Sequence, residues 1–231
     1  AATESIIAVH QKTVIESKSS KLAVLFSPIY RFAFATTFVI SILAQFNGVS
    51  YFALYSTDLF NRVSGNGKKV TFFIAIAKVF GGVCAIIFMK NFGRKFNLML
   101  GCLMQGVCIA LVMISLYVNV TEISMAAVFL YFISFAIGLG GSVNAFVTEV
   151  IPPIGVSLIS SFLCILNAMF GKLLPLAAAA YGDETLLCFF AICCFVGFFA
   201  LDFFLIETKD KNEERILSEY MNHKYTFLNF K

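Results

Sequence analysis

The sequence is poor in charge, histidine and proline, and it contains no tryptophan. Charged residues make up 13% of the 231 residues, whereas soluble domains carry about 25%. The sequence has no Cys/His spacing typical of a metal site, and no nucleophile, base and acid form a catalytic pattern. The net charge of +4 is small and dispersed, unlike a nucleic-acid-binding face. These shortages predict a protein that is not an enzyme and has no metal, no cofactor and no nucleic-acid partner.

Apolar residues dominate instead. The chain is 60% hydrophobic, 28 residues are phenylalanine, and the mean hydropathy is +0.90. One soluble core cannot bury so much apolar surface, so lipid must cover the remainder. All seven cysteines lie inside apolar segments, where small buried hydrophobes are a better interpretation than disulfides. The sequence predicts an integral, multi-pass membrane protein whose first partner is the lipid bilayer.

Six apolar segments are long enough to cross the bilayer, which takes about 20 residues in a helix. They lack the period-2 alternation of barrel strands, so helices are the only sensible spans. The predicted fold class is an all-α integral membrane bundle of six transmembrane helices with amphipathic helices at both ends. The spans are predicted at 31–60, 69–90, 96–118, 124–149, 157–181 and 184–206.

Two polar flanks divide the chain into three predicted regions. Residues 1–22 are predicted as an amphipathic linker helix, 23–208 as the transmembrane domain, and 209–231 as an amphipathic C-terminal tail. The polar start lacks the pattern of a cleavable signal peptide. His10 and His223 lie in the flanks and are predicted to be solvated.

Lysine and arginine predict the orientation through the positive-inside rule. Twelve lie on one predicted side and three on the other, which places both termini and the basic turn 90–95 in the cytosol or an equivalent compartment. Gly93 in this turn is predicted to allow a tight reversal. The three are Arg62, Lys68 and Lys69; the twelve are Lys12, Lys18, Lys21, Arg31, Lys90, Arg94, Lys95, Lys209, Lys211, Arg215, Lys224 and Lys231.

Four motifs together resemble the sugar porter branch of the major facilitator superfamily. "NFGRK" (91–95) resembles the family's D-R-x-G-R-R loop, and "AQFNGVSYFALYS" (44–56) resembles Q-Q-x-S-G-I-N-x-x-x-Y-Y-S of the seventh helix. "GLGGSVNAFVTEVIPP" (138–153) resembles the tenth-helix G-P-x-x-W followed by E-x-F-P, and "IETKDKNEE" (206–214) resembles the terminal P-E-T-K-G. They occur in family order and cover about residues 25–220.

The resemblance implies the C-terminal six-helix half of a twelve-helix transporter. The amphipathic start would be the end of the linker between halves, and the N-terminal half is expected to be absent from this chain. In the family, the substrate site lies between two halves that rock around it. The implied partners are a second six-helix half or other membrane subunits, with a hexose or a small anionic solute as the substrate.

The implied substrate-binding residues keep only part of the family pattern. They are Gln45, Ser50, Tyr55, Lys78, Asn144 and Asn167. Ser50 and Lys78 stand where the family has asparagine, and Asn144 stands where it has the gating tryptophan. Ala44 replaces a sugar-binding amide and Ala168 an aromatic residue. Losing amides and aromatic faces predicts poor hexose affinity unless the second half compensates.

A charge network near the turn is also implied by the resemblance. Its members are Lys90, Arg94, Lys95, Glu149 and Glu207. In the family such charges latch the outward-open state, but here Lys90 replaces the acidic loop residue and Asn91 its arginine. One Glu149 facing three cations is a poor latch, so a simple pair between Glu149 and Arg94 is the favoured interpretation.

Two lysines lie inside predicted spans, where a central lysine costs about 2.5–3.5 kcal/mol on insertion scales. Lys78 and Lys172 either form part of an anion-binding or proton-linked site or have a partner. The partner would be Asp202, Asp58, backbone carbonyls or an acidic residue of another subunit.

A glycine-rich stretch, "GLGGSVN" at 138–144, interrupts the fourth span. Glycines in a membrane helix either form a hinge or let a neighbouring helix approach closely, and both interpretations remain open. Pro152 and Pro153, at the end of the same span, are predicted to terminate its helix.

Two functions from different classes remain open. The first is a sugar-porter-like transporter half with eroded sugar ligands, which works by alternating access with a second half. The second is a transport-incompetent homologue that serves as a structural subunit of a larger membrane complex, such as an organellar respiratory assembly. The first implies the plasma membrane, and the second the mitochondrial inner membrane.

The Lys/Arg asymmetry makes a testable prediction about topology. Single cysteines introduced as Asn91→Cys and Asn66→Cys should react with an impermeant maleimide from opposite sides of the membrane, because 90–95 and 61–68 are assigned to opposite faces. The native cysteines lie within spans and serve as the background control. Labelling of both positions from one side would contradict the predicted topology.

Overall fold

A computed structural model of the chain describes residues 25–27, 30–64, 67–118, 120–212 and 215–220. Within these ranges, six helical spans are long and apolar enough to cross a membrane, which confirms the predicted all-helical, six-span fold. The predicted flank 1–22 lies outside the described residues. The α-helices named here, all within the described ranges, are α1 Tyr30–Gln45, α2 Val49–Ser64, α3 Gly67–Asn91, α4 Arg94–Tyr117, α5 Thr121–Phe135, α6 Gly141–Val150, α7 Pro153–Tyr181 and α8 Asp183–Phe204, and residues 215–220 are helical as well.

The six spans alternate in direction, so their connections fall at two ends of the bundle. Residues 92–93, 151–152 and 205–212 lie together at one end, which we call the basic end. Pro152 and Pro153 stand between α6 and α7, and Pro153 is the first residue of α7, because proline suits the first helical turn and cannot continue the preceding helix.

The first span is broken near its middle, between α1 and α2. Gly48 has φ +89°, a conformation that side chains other than glycine rarely adopt. A Cβ at this position would also lie 3.1 Å from the ring of Phe190. The Asn47 side-chain oxygen accepts a hydrogen bond from Val49 N at 2.9 Å and so satisfies one free amide at the start of α2.

The fourth span contains a π-helical turn, Ala136–Gly140, between α5 and α6. Gly138 in this turn lies directly against Gly101 of α4, and a Cβ on Gly101 would approach the Gly138 Cα to 2.6 Å. Close packing is therefore what the structure shows at Gly138, because the two backbones touch where a side chain would stand. A hinge role for the glycine stretch stays a prediction.

Among the described residues, buried apolar side chains form two clusters, one near each end of the bundle. The cluster at the basic end includes Leu98, Phe146 and Leu201, and residues 215–220 pack against it through Leu217. The cluster at the opposite end includes Phe52 and Tyr131. Helix α4 contributes to both clusters and so joins the two ends.

Helices α3 and α7 are the least covered spans. In the most apolar stretch of each span, 11% of residues are buried in α7 and 22% in α3, against 39–50% in the other four spans. Large apolar side chains on these helices are exposed, including Phe72 and Val79 of α3 and Leu176 of α7. Lipid or another membrane segment must therefore cover both faces.

The contact between Gly138 and Gly101 makes a testable prediction about stability. Gly138→Ala should lower the free energy of unfolding by about 1–3 kcal/mol, since the new methyl forces two backbones apart. The matched control is Gly82→Ala in α3, where a Cβ would meet nothing within 4 Å. Unfolding in detergent would be followed for both variants. Equal stability of the two would contradict the close-packing explanation.

Candidate functional site

Two predicted site residues meet beside the break in the first span. Ser50 Oγ donates a hydrogen bond to Asn167 Oδ1 at 2.9 Å, which joins the start of α2 to α7. One turn further along α2, the Tyr55 hydroxyl donates to the carbonyl oxygen of Gly171 at 2.5 Å. Three of the six implied site residues thus form a seam between α2 and α7. The seam lies on the open side of α7, where Asn167 is exposed.

The other three implied residues do not join this seam through any hydrogen bond between described residues. Gln45 keeps its side-chain oxygen buried without a hydrogen-bonding partner in that part of the chain. Asn144 is exposed, and its amide nitrogen donates to Gly140 O of its own span at 3.2 Å. Lys78 is exposed, and its Nζ lies 5.0 Å from the ring centroid of Phe132. These side chains remain separate candidates for contact with a solute.

The break itself is supported by residues that the sequence did not single out. The backbone oxygen of Asn47 accepts the hydroxyl of Tyr131 at 3.0 Å and lies 3.8 Å from Cys194 Sγ. Tyr131 is fully buried, and its hydroxyl holds a carbonyl that the interrupted helix leaves free. A tyrosine in the middle of an apolar span was the available signal for this role.

Two further buried amides were also missed. Asn97 and Gln105, both in α4, are fully buried, and their side-chain oxygens and nitrogens have no hydrogen-bonding partner among the described residues. Their position as amides inside an apolar span is the sequence feature that could have identified them as candidate functional residues.

A charge cluster occupies the basic end of the bundle. Arg94 donates from Nε at 3.0 Å and from Nη2 at 2.6 Å to Glu149 Oε1, which is the pair favoured by the sequence. The other oxygen of Glu149 accepts the Thr208 hydroxyl at 2.6 Å. The Glu149 carboxylate therefore ties α4 and α6 to the segment after α8. Its charge-assisted bonds are stronger than neutral ones.

Glu207 holds the start of α4. Its carboxylate accepts the backbone N–H groups of Arg94 at 2.8 Å and Lys95 at 3.2 Å, and also those of Thr208 and Lys209 at 3.0 Å each. A negative charge at a helix N-terminus satisfies free amides and complements the helix dipole.

Gly93 is required by this contact and not by the backbone conformation of the turn. Its backbone is extended, with φ −74° and ψ 160°, which any residue adopts, so the predicted conformational reason is wrong. A Cβ at Gly93 would collide with the carboxylate of Glu207. Glycine is needed here because the carboxylate occupies the place of a side chain.

The remaining cations at the basic end have different environments. Lys95 Nζ lies 3.1 Å from Asp202 Oδ1 and 2.7 Å from Asp202 O. Asp202 is therefore the partner of Lys95, which corrects the suggestion that it pairs with Lys78. Lys209 Nζ donates to the carbonyl oxygens of Lys90 and Asn91. The Lys90 side chain is exposed, with no carboxylate within 4 Å among the described residues.

Sequence comparison identifies relatives among transporters. The profile of the family "Sugar (and other) transporter" matches residues 2–220. Sugar transporter ERD6-like 17 of Arabidopsis thaliana is 25% identical over 156 residues, which cover 64% of this chain and 33% of that protein. Solute carrier family 2, facilitated glucose transporter member 2 of Gallus gallus is 29% identical over 118 residues, which cover 48% of this chain and 22% of that protein.

Solved structures with the same fold are those of XylE, described as a proton:xylose symporter of the major facilitator superfamily. A double-tryptophan mutant of XylE matches with a TM-score of 0.74 and 16% identity, over 82% of this chain and 43% of that chain. XylE bound to 6-bromo-6-deoxy-D-glucose matches with a TM-score of 0.67 and 18% identity, over 88% and 45%.

The matches span a third or less of the two curated relatives and less than half of the two solved chains. The family profile nevertheless covers almost the whole of this chain, from the first flank to the segment after α8. With the family profile matching residues 2–220, the chain belongs to the "Sugar (and other) transporter" family, and it shares the fold of XylE.

Proposed function

We propose that this chain is one six-helix half of a sugar-porter-type transporter and moves its solute by alternating access together with a second half. The observation that carries the proposal is the broken first span beside the seam between α2 and α7. Irregular backbone at membrane depth is tolerated where it is buried in protein or lines a cavity, and transporters place their solute sites at such breaks.

The seam provides chemistry suited to a hydroxylated or charged solute. Ser50 and Asn167 together offer a hydroxyl and an amide, which are the groups that pair with sugar hydroxyls. The bond with Ser50 uses only the side-chain oxygen of Asn167, so the N–H groups of the Asn167 amide remain available to donate to a solute. Lys78 adds a positive charge that would favour a small anionic solute over a neutral hexose.

The proposal requires a second protein surface that covers the solute on the side facing away from this chain. Helices α3 and α7 leave broad faces uncovered, and Asn167 and Lys78 both lie on exposed surface. A solute bound at these side chains needs burial on its other side to exclude water. The XylE chains, with which this chain shares its fold, are more than twice as long as the matched part, which agrees with a requirement for another half.

The alternative function is a structural subunit without transport, and a specific observation supports it. Several polar groups of the implied site residues are already satisfied within the chain: in the seam, Ser50 bonds to Asn167 and Tyr55 to the Gly171 carbonyl, and outside it Asn144 bonds to Gly140. A sugar would have to replace these bonds and would gain little net free energy from the exchange.

The charge cluster at the basic end is proposed to hold the ends of α4 and α6 and the segment after α8 as one unit. Glu149 and Glu207 each bind partners on more than one of these elements. In an alternating-access cycle, this unit would move as a rigid body while the uncovered faces slide against the second half.

Transport is tested by uptake of labelled glucose and of labelled small anions into proteoliposomes. The chain alone is expected to give no saturable hexose uptake, because one half lines only part of a cavity. With the second half present, Asn167→Ala should reduce uptake of the transported solute about tenfold, as expected for the loss of one hydrogen bond of roughly 1.4 kcal/mol. Ser160→Ala, on the same helix, is the matched control, since Ser160 is exposed and seven residues away.

Three results would each contradict a different part of the proposal. Saturable glucose uptake by the chain alone would show that no second half is needed. Equal uptake by the Asn167 and Ser160 variants would remove Asn167 from the site. Absence of any uptake with the second half present would favour the structural subunit.

The charge cluster makes a separate prediction about stability. Glu149→Gln should destabilise the chain by about 1–3 kcal/mol, because Arg94 then loses a charged partner in a half-buried place. Glu122→Gln is the control, since Glu122 is exposed in the first turn of α5 at the opposite end. Thermal unfolding in detergent measures both variants, and an unchanged Glu149→Gln protein would contradict a holding role.

A further inference from the structure

We infer that a groove between α1 and α8 binds an anionic phospholipid, with one acyl chain in the groove and the phosphate held by Arg31. The inference is independent of the proposed function, because it concerns a surface outside the seam and outside the charge cluster. Three observations carry it: the lining of the groove, its length, and the charge at its end.

The groove is a cavity of about 170 Å³ with an almost entirely apolar lining. Two alanines, one on α1 and one on α8, have short side chains and so leave space that larger residues would fill. The lining includes Phe32, Ala35, Val39, Leu43, Ala200 and Phe204. The groove is open on one side, where Val39 is 48% exposed and Phe204 is 40% exposed. Because α1 and α8 belong to apolar spans, this side opens into hydrocarbon.

The length of the groove matches one leaflet of the bilayer. Phe32 and Leu43, its limits along α1, are 11 residues apart, which corresponds to about 16 Å at 1.5 Å per residue. Half of the 30 Å hydrocarbon layer is about 15 Å. Since α1 begins at Tyr30 and α8 ends at Phe204, the groove starts at the basic end and runs to about the bilayer centre. An acyl chain in the leaflet at that end follows the same path.

Arg31 places a cation at the basic end of the groove. It is exposed and lies one helical turn before Ala35, on the same face of α1. No carboxylate lies within 4 Å of its guanidinium among the described residues. A guanidinium in this place can bind a phosphate with two parallel hydrogen bonds.

The acidic residue near the end of α8 does not cancel this charge. Asp202 lies two residues before Phe204, so the two side chains are about 200° apart round the helix axis. The Asp202 carboxylate is also paired with Lys95 at 3.1 Å. The end of the groove therefore carries a net positive charge, which favours a lipid with a negative headgroup.

The lining and the charge together select an amphiphile and not a sugar. Thr36 also lines the groove, but its hydroxyl already donates within α1, to the carbonyl oxygens of Phe32 at 3.1 Å and Ala33 at 2.9 Å. A sugar would therefore bury hydroxyls against apolar side chains, which is costly. A sterol would fill the groove but leave Arg31 without an anion. An anionic phospholipid satisfies both features and is the occupant to which we commit.

The inference is tested by native mass spectrometry of the protein purified in its native assembly. Phosphatidylglycerol and phosphatidylcholine with identical acyl chains are added to the detergent micelles. Phosphatidylglycerol should bind about fivefold more tightly, the preference expected from one cation beside an anionic headgroup.

The position of the lipid is tested by photolabelling in proteoliposomes. Phosphatidylglycerol with a diazirine in the middle of one acyl chain is irradiated, and the labelled peptides are identified by mass spectrometry. The label should concentrate on residues 31–43 and 200–204. The exposed face of α3, which includes Phe72 and Val79, is the internal control for lipid contact without a groove.

Variants separate the two parts of the site. Arg31→Gln should lower the affinity for phosphatidylglycerol about fivefold, to that for phosphatidylcholine, because only the charge is lost. Lys90→Gln is its control, since Lys90 is an exposed cation at the same end. Ala35→Phe should weaken both lipids about tenfold, the loss expected when about two methylene groups are no longer buried. Ala75→Phe is the matched control, because Ala75 is exposed on α3.

Several outcomes would overturn the inference. Equal affinity for the two lipids, or an Arg31→Gln variant that keeps the preference, would show that the charge does not select the headgroup. Label spread evenly over the groove and the exposed face of α3 would show that the groove holds no defined lipid. Displacement of the photolabelled lipid by cholesterol, unaffected by the change at Arg31, would assign the groove to a sterol. None of these measurements uses solute uptake, so a failure of lipid binding and a failure of transport are distinguished.

Discussion

The structure depends on one constraint: a backbone polar group inside hydrocarbon must find a partner within the protein. Within the described residues, four of the six spans meet it through continuous helical bonding, including a π turn in the fourth. Helix α7 contains Pro175, which has no N–H to donate to Gly171 O, and the Tyr55 hydroxyl donates to that carbonyl instead. The first span breaks its helix near the bilayer middle and meets the constraint with side chains. Asn47 bonds to the next helix through its side chain and receives the Tyr131 hydroxyl on its carbonyl. The polar seam with α7 exists because this break is held in place.

The basic end of the bundle and its flanks are stabilised in different ways. At the basic end, Glu149 and Glu207 gather backbone amides, a guanidinium and a hydroxyl, so the helix ends are fixed by charge. On the flanks of the bundle, α3 and α7 present largely uncovered apolar faces, and each carries an exposed lysine within its span, Lys78 and Lys172. A unit that is firmly closed at one end and open along two helices is suited to moving against a partner.

The spans were predictable because the bilayer sets their length and hydropathy reports it. The pair between Arg94 and Glu149 followed from their family positions. Only the members of the seam could be predicted from the sequence, and not their contact. Ser50 and Asn167 were both singled out, but they lie 117 residues apart, and their hydrogen bond depends on tertiary packing. Gly93 and Asp202 were misread for the same reason, since the carboxylate of Glu207 beside Gly93 and the Lys95 ammonium beside Asp202 come from distant parts of the chain.

The contact between Gly101 and Gly138 also limits how this protein can diverge. In most helix pairs, a larger residue on one side is accommodated by a smaller one opposite, so sequences drift through compensating exchanges. Here both positions already hold the smallest residue, and neither can give space to the other. A larger residue at either position cannot be compensated by a smaller one at the other. The two glycines should therefore change only if the packing of α4 against the π turn changes as well.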